Sequence, residues 1–233
     1  MNIVIDPGHG LCRDSQGRWG YDRPEYYEVR EDLLTPVISQ GVSQALEDQG
    51  LIVHSTRPFP MTPEGDAIGE SGEKRWKESS IYWMRTCWEG HMQYREVGRS
   101  ERARCINTRP LLVDLHKAGM ALSIHVNASN ENPEAHGVSV YFTKGDPKSR
   151  RLAELIYSEL VKDERCDGSR GIKEEQRHWA WFKRMNPEIP NVLIEYLFFT
   201  NKLDAALLAD PENLACASDA VARGVLAYME ELK

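Results

Sequence analysis

The chain has 233 residues, 41% of them hydrophobic and 28% charged, with a formal net charge of −7. That length supports one large α/β domain, or a domain carrying a sizeable insertion, with ample core. The acidic balance argues against a nucleic-acid binder, which normally displays a basic face. No run approaches the roughly 18 apolar residues of a membrane span.

The five cysteines (Cys12, Cys87, Cys105, Cys166 and Cys216) are scattered and form no C-x-x-C pair, which fits a reduced place of synthesis. The chain opens directly into an apolar strand, leaving no room for a charged n-region and an apolar h-region. The expectation is therefore cytoplasmic synthesis without a secretion signal.

Asn2 to Asp6 reads as a short strand breaking into Pro7-Gly8-His9-Gly10. The glycines allow a tight turn, which puts His9 at the C-terminal edge of that strand, where open α/β sheets bind ligands. Asp6 is placed to orient an imidazole or a loop amide, although Asp-Pro-Gly also favours turns on its own account. Leu11 to Asp32 is polar and reads as a loop delivering Glu25, Glu28, Glu31 and Asp32 just ahead of a helix. Thr35 and Pro36 suit the N-cap and first position of that helix. Val37, Ile38, Val42, Ala45 and Leu46 form its apolar stripe, and Gly50 stops it.

Leu51 to Ser55 is the next strand, and Phe59 to Glu73 an exposed loop rich in Pro, Gly and acid. Trp76, Trp83, Met84, Cys87, Trp88 and His91 then recur at helical spacing among many charges. This marks a Trp-rich helical insertion at about residues 60–98. It reads either as an amphipathic helix laid on the domain or as a lid or partner surface, where aromatic anchors are common. Arg99 to Lys117 reads as a helix broken near Pro110.

Met120 to Ile124 is an apolar run of the kind found in a strand buried on both faces. It ends on His125, a candidate ligand at the sheet edge or a packed core histidine. Gly137 to Phe142 alternates as a half-buried strand, and Ser149 to Lys162 is an amphipathic helix. Gly168 to Arg177 reads as a loop, and Trp179 to Phe182 as a compact aromatic strand or turn. Asn191 to Ile194 is another buried strand, ending on Glu195, and two helical segments (Asp204–Leu208 and Glu212–Leu232) finish the chain. The fold class is α/β: a mostly parallel central sheet flanked by helices on both faces, in a single domain.

Three strand ends thus offer chemistry to one sheet edge. Two imidazoles and carboxylates are what a catalytic zinc ion needs. Glu195 is either a carboxylate satisfied by loop amides or a general base beside an activated water. Two histidines, a carboxylate ligand and a carboxylate base are the parts for hydrolysing an amide. No H-E-x-x-H helix is present to mark the site independently.

The chain resembles the zinc-dependent N-acetylmuramoyl-L-alanine amidases of the type-3 family, which include bacterial cell-wall amidases and phage endolysins. The likeness is carried by Ile3 to Gly10, Thr56-Arg57, Ser123 to Asn127 with Gly137 to Tyr141, Arg170 to Lys173, and Val192 to Glu195 with Phe198 and Asn201. The resemblance implies zinc on His9, on a glutamate opening the first helix and on His125, with Glu195 as catalytic base. The implied substrate is peptidoglycan or a muropeptide, cut between the muramic lactyl group and L-alanine. For the glutamate, Glu28 suits relatives with an Asn one turn beyond the ligand, while Glu31 keeps the usual distance to Gly50; the choice falls on Glu28. The resemblance also implies action on the cell wall, after lysis-type release or by another route. Two alternatives stand beside this reading: a zinc peptidase or deacylase on another amide, and a non-catalytic wall- or partner-binding module using the Trp-rich insertion.

Overall fold

The structure, a computed structural model, describes residues 1–9, 11–13, 19–21, 24–57, 101–163, 170–175 and 179–233. The Trp-rich insertion expected at about 60–98 lies outside them. The chain runs through strands β1 (Asn2–Pro7), β2 (Leu11–Arg13) and β3 (Trp19–Tyr21), helix α1 (Glu31–Glu47), β4 (Ile52–Ser55), α2 (Glu101–Leu115), β5 (Met120–Asn127) and β6 (Ser139–Thr143). It continues through α3 (Pro147–Leu160), β7 (Ile172–Glu175), α4 (Ala180–Arg184), β8 (Asn191–Phe198), α5 (Lys202–Leu208) and α6 (Pro211–Glu231).

A six-stranded sheet of order β4-β1-β5-β8-β6-β7 forms the centre. β4, β1, β5 and β8 are mutually parallel, and β6 pairs antiparallel to β8 and parallel to β7. β2 and β3 form a separate antiparallel ribbon. Side chains alternate across a strand, and here the alternation divides the molecule. Ile3, Ile5, Leu122, Ile124, Val192 and Ile194 join the larger core under α1, α3 and α6. Val4, Ala121 and Leu193 face the other way and meet Val113, Trp181 and Phe182 of α2 and α4 in a smaller core. One face is thickly covered and the other thinly. Among the described residues no helix is long and apolar enough to cross a membrane.

Several local expectations are corrected. α1 starts at Glu31 and runs through Pro36, so Thr35 caps nothing; its hydroxyl instead donates to the Gly8 carbonyl at 2.7 Å. Two acids, Glu31 and Asp32, occupy the first turn, where they oppose the positive end of the helix dipole. α2 passes through Pro110 without a break. β2 and β3 lie in the stretch read as loop, and so does β7. Trp179 to Phe182 enters a short helix, not a strand. β5 and β8 do not stop at His125 and Glu195 but run on to Asn127 and Phe198.

α3 and α6 cross at Gly224. A Cβ there would stand 2.5 Å from the Ile156 Cα and 2.8 Å from its nitrogen, both backbone atoms with nowhere to go. Gly224→Ala is therefore expected to lower stability by about 1–3 kcal/mol, read as a lower urea midpoint at unchanged m-value. A midpoint equal to that of the parent would show that the two helices are not held this close.

Candidate metal centre and active-site cleft

β1 ends in a turn in which the carbonyls of Pro7, Gly8 and His9 are all engaged. Arg109 of α2 donates to the carbonyls of Pro7 (3.1 Å) and His9 (2.7 Å), and Arg57, after β4, donates to that of Gly8 (3.0 Å). The Gly8 amide returns a bond to the Ile124 carbonyl at 2.7 Å. These contacts hold His9 at φ 55, a left-handed conformation uncommon for a side-chain-bearing residue. Asp6 supports the same turn. It accepts from Ser123 Oγ (2.8 Å), from Thr56 Oγ1 and, at 3.4 Å, from Arg109 Nη1. The sequence offered it an imidazole or a loop amide to orient; its side chain instead organises the buried Arg109 and two hydroxyls. Gly8 is needed for space. A Cβ there would fall 2.5–2.7 Å from three atoms of the His125 ring, so the imidazole lies directly on the glycine.

Glu31 opens α1 with a side chain only 2% exposed. Its Oε2 is 3.2 Å from His9 Nε2, and its Oε1 is 3.0 Å from His125 Nδ1. Oε1 also accepts the Val126 amide at 3.1 Å. The two imidazole rings meet edge to face, centroids 4.9 Å apart. One ligand atom from each of His9, Glu31 and His125 thus lies within 4.8 Å of the others. Two nitrogens and one carboxylate at that spacing match the donor set of a three-ligand zinc site with an open position. The residues present fit the metal.

Glu28 does not join them, which corrects the choice made from the sequence. It is exposed, at φ 64 beside Tyr27 at φ 49, in a tight turn closed by the Tyr26–Val29 bridge. Two consecutive positive φ angles fold the chain back as in a type I′ turn, so Glu28 sits at the tip while Glu31 enters the cleft.

Glu195 lies directly opposite His125 in the β5–β8 register, one strand spacing of about 4.8 Å away. Beyond this pair the register slips: Asn127 faces Phe198, and Leu197 takes φ 59. Such bulges re-aim side chains beside active sites. Asp6, His9, Glu31, Arg109, His125 and Glu195 line one cleft of about 470 Å³, walled by Trp179, Trp181 and Leu193. Burial pulls the His125 pKa down. The Glu31 hydrogen bond and the charges of Glu31, Glu195 and Asp6 together outweigh it, leaving the value raised. Protons therefore compete for this nitrogen as the pH falls through that raised value.

A family model described as N-acetylmuramoyl-L-alanine amidase matches residues 3–227. The chain belongs to that amidase family. As a member it is a hydrolase of the amidase class. It is 34% identical over 118 residues to the uncharacterized protein YqiI of Bacillus subtilis (strain 168), half of this chain and 54% of that one. The chain is thus matched along only about half the length of that relative. The germination-specific N-acetylmuramoyl-L-alanine amidase of the same organism is 23% identical over 231 residues, 98% of this chain and 80% of its own. An N-acetylmuramoyl-L-alanine amidase from Clostridium difficile 630 shares the fold, with TM-score 0.70 at 19% identity, covering 100% of this chain and 98% of that one.

Sequence reasoning missed Arg109 as a support of the amidase cleft, because an arginine inside a polar helix carries no mark of burial. The aromatic wall was visible as Trp179 and Trp181 but had no assigned place.

Glu31→Gln is expected to weaken zinc uptake by more than the about 10–100-fold that outer partners of a metal site are worth. Glu28→Gln should bind zinc like the parent. Equal loss in both variants, measured by competition with a chromogenic chelator, would undo the assignment of Glu31. Gly8→Ala should likewise weaken uptake, since the added methyl displaces the His125 ring. An unchanged affinity in that variant would mean the ring is not seated on Gly8.

Proposed function

We propose that this chain hydrolyses the amide joining the lactyl group of N-acetylmuramic acid to the L-alanine of the peptidoglycan stem peptide. His9, Glu31 and His125 hold a zinc ion, and Glu195 acts as general base. The observation that carries this reading is the convergence of those three donors beside Glu195 in the cleft of an amidase-family chain. When bound, zinc supplies Lewis acidity to the water and the carbonyl oxygen of the reaction.

The chain's own residues do the rest. The Arg109 and Arg57 contacts to the β1 turn fix His9 before substrate arrives, so little reorganisation is left for the reaction itself. Glu195 takes a proton from the attacking water and delivers it to the departing nitrogen of alanine. The lactyl carbonyl becomes a carboxylate and the peptide leaves with a free amine. Trp181 and Leu193, both buried, keep bulk water from that end of the cleft. The place of action is then the cell wall.

Glu195→Gln is expected to lower kcat by about 10²–10⁴-fold while the zinc content of the purified protein stays at the parental level. EDTA should abolish muropeptide cleavage in the parent, and added zinc should restore it. Mass spectrometry of digested wall should show a free N-terminal L-alanine and an intact lactyl acid. Release of any other new amine would move the assignment to a peptidase or deacylase, and full activity of the Gln variant would remove Glu195 as the base.

A further inference from the structure

The thin face of the sheet carries more than the proposed reaction uses. Tyr141 stands opposite Leu193 on one side and opposite Lys173 on the other, so these three share the face that carries Glu195. The Lys173 ammonium lies 5.3 Å from the centre of the Tyr141 ring and 3.5 Å from its hydroxyl. On its other side Tyr141 packs against Trp179, ring centroids 4.7 Å apart, and Trp179 walls the cleft. The Arg170 guanidinium rests over the Phe198 ring at 5.2 Å. Among the described residues, neither Arg170 nor Lys173 has a carboxylate within ion-pair distance. They sit instead on aromatic faces, a setting that holds a cation in place without cancelling its charge.

Their mutual influence shows in their proton affinities. Burial and the neighbouring Arg170 charge both lower the Lys173 pKa, partly offset by Glu195. Burial raises that of Tyr141, with Glu195 and Arg170 pulling it in opposite directions. Glu195 and the two cations therefore lie within electrostatic reach of one another. A lysine partly desolvated beside a second cation gains from an incoming anion.

We propose that Lys173, set on Tyr141 beside Trp179 on the face that carries Glu195, and Arg170, set over Phe198, form a subsite for a free carboxylate of the stem peptide. This rests on the function proposed above, and it extends that function from the bond that is cut to the substrate that is chosen. The side of the bond follows from charge: the sugar part of the substrate is neutral, whereas the peptide beyond alanine bears free carboxylates. The span follows from spacing. β7 lies three strands from β5, roughly 14 Å at about 4.8 Å per step, and a lysine side chain reaches about 6 Å of that back towards Glu195. Two or three extended residues, at about 3.4 Å each, bridge the remainder. The carboxylate is thus on the second or third residue of the stem. Arg170 supplies a forked donor pair and Lys173 a point charge.

The experiment uses the free tripeptide that cleavage would release, prepared as the acid and as two primary amides, one at the second residue and one at the third. Calorimetric titration of the zinc-loaded protein should show the acid binding about tenfold tighter than one of the amides, and which amide identifies the residue. In Lys173→Met, and in Arg170→Gln, the acid-to-amide ratio should fall to near one with an unchanged melting temperature. The same ratio should appear in KM when whole muropeptides are hydrolysed. Equal binding of all three peptides by the parent, or a ratio preserved in both variants, would overturn the subsite. If the peptides discriminate as expected but no muropeptide is cut, the carboxylate subsite stands and the proposed reaction fails.

Discussion

A carboxylate that is 2% exposed, with an imidazole nitrogen within 3.2 Å of each oxygen, is a demanding thing to keep. Removing Glu31 from water costs several kcal/mol unless its oxygens are matched by donors or cations. The Val126 amide, the two ring nitrogens and the N-terminus of α1 provide that match. These partners come from three parts of the chain, so the helix, β5 and the turn after β1 must all arrive in place for the charge to be tolerated. A divalent cation would satisfy the same three groups more fully, which is why the arrangement reads as a metal centre rather than a structural ion pair.

The position of that centre follows from the uneven cover of the sheet. α1, α3 and α6 bury one face completely, while α2 and α4 leave the other with a cleft. Residues of one parity on β1, β5 and β8 fall on the open side: Asp6, Ser123, His125, Leu193 and Glu195. The chemistry therefore straddles the carboxyl edge of the sheet: His125 and Glu195 project from inside their strands, while His9 lies in the turn beyond β1 and Glu31 at the start of α1. Buried arginines from α2 and the end of β4 complete the frame by claiming the carbonyls of the β1 turn. Their cost in desolvation is offset by those carbonyls and by Asp6.

The same face continues past Glu195 onto β6 and β7, where aromatic rings and two cations replace the imidazoles. A single pleated surface thus carries His125 and Glu195, beside the donor triple, at one end and a positively charged aromatic shelf at the other. Because the spacing between them is fixed by strand geometry, the sheet sets the length of substrate that can touch both. A loop-built site would not impose that.

Much of this was legible in the residues. Apolar runs located the main strands, and the order of strands and helices indicated an α/β fold. Pro-Gly-His, Ile-His-Val and Ile-Glu marked three of the four chemical groups, because polar residues that terminate or interrupt buried strands stand out against their surroundings. The choice between Glu28 and Glu31 was not legible: they are three residues apart in a polar stretch, and only the turn at Tyr27 and Glu28 together with the true start of α1 separates them. Thr35-Pro36 looked like a helix start because local capping chemistry fits it, yet the pairing of Glu31 with two distant histidines outweighed that preference. The roles of Arg57 and Arg109, and the meeting of Lys173 with Tyr141, rest on contacts between elements far apart in the chain. Sequence alone determined which groups were available and which strands would carry them. Tertiary structure decided which groups share a face, since strand order and register are set by packing across the whole sheet.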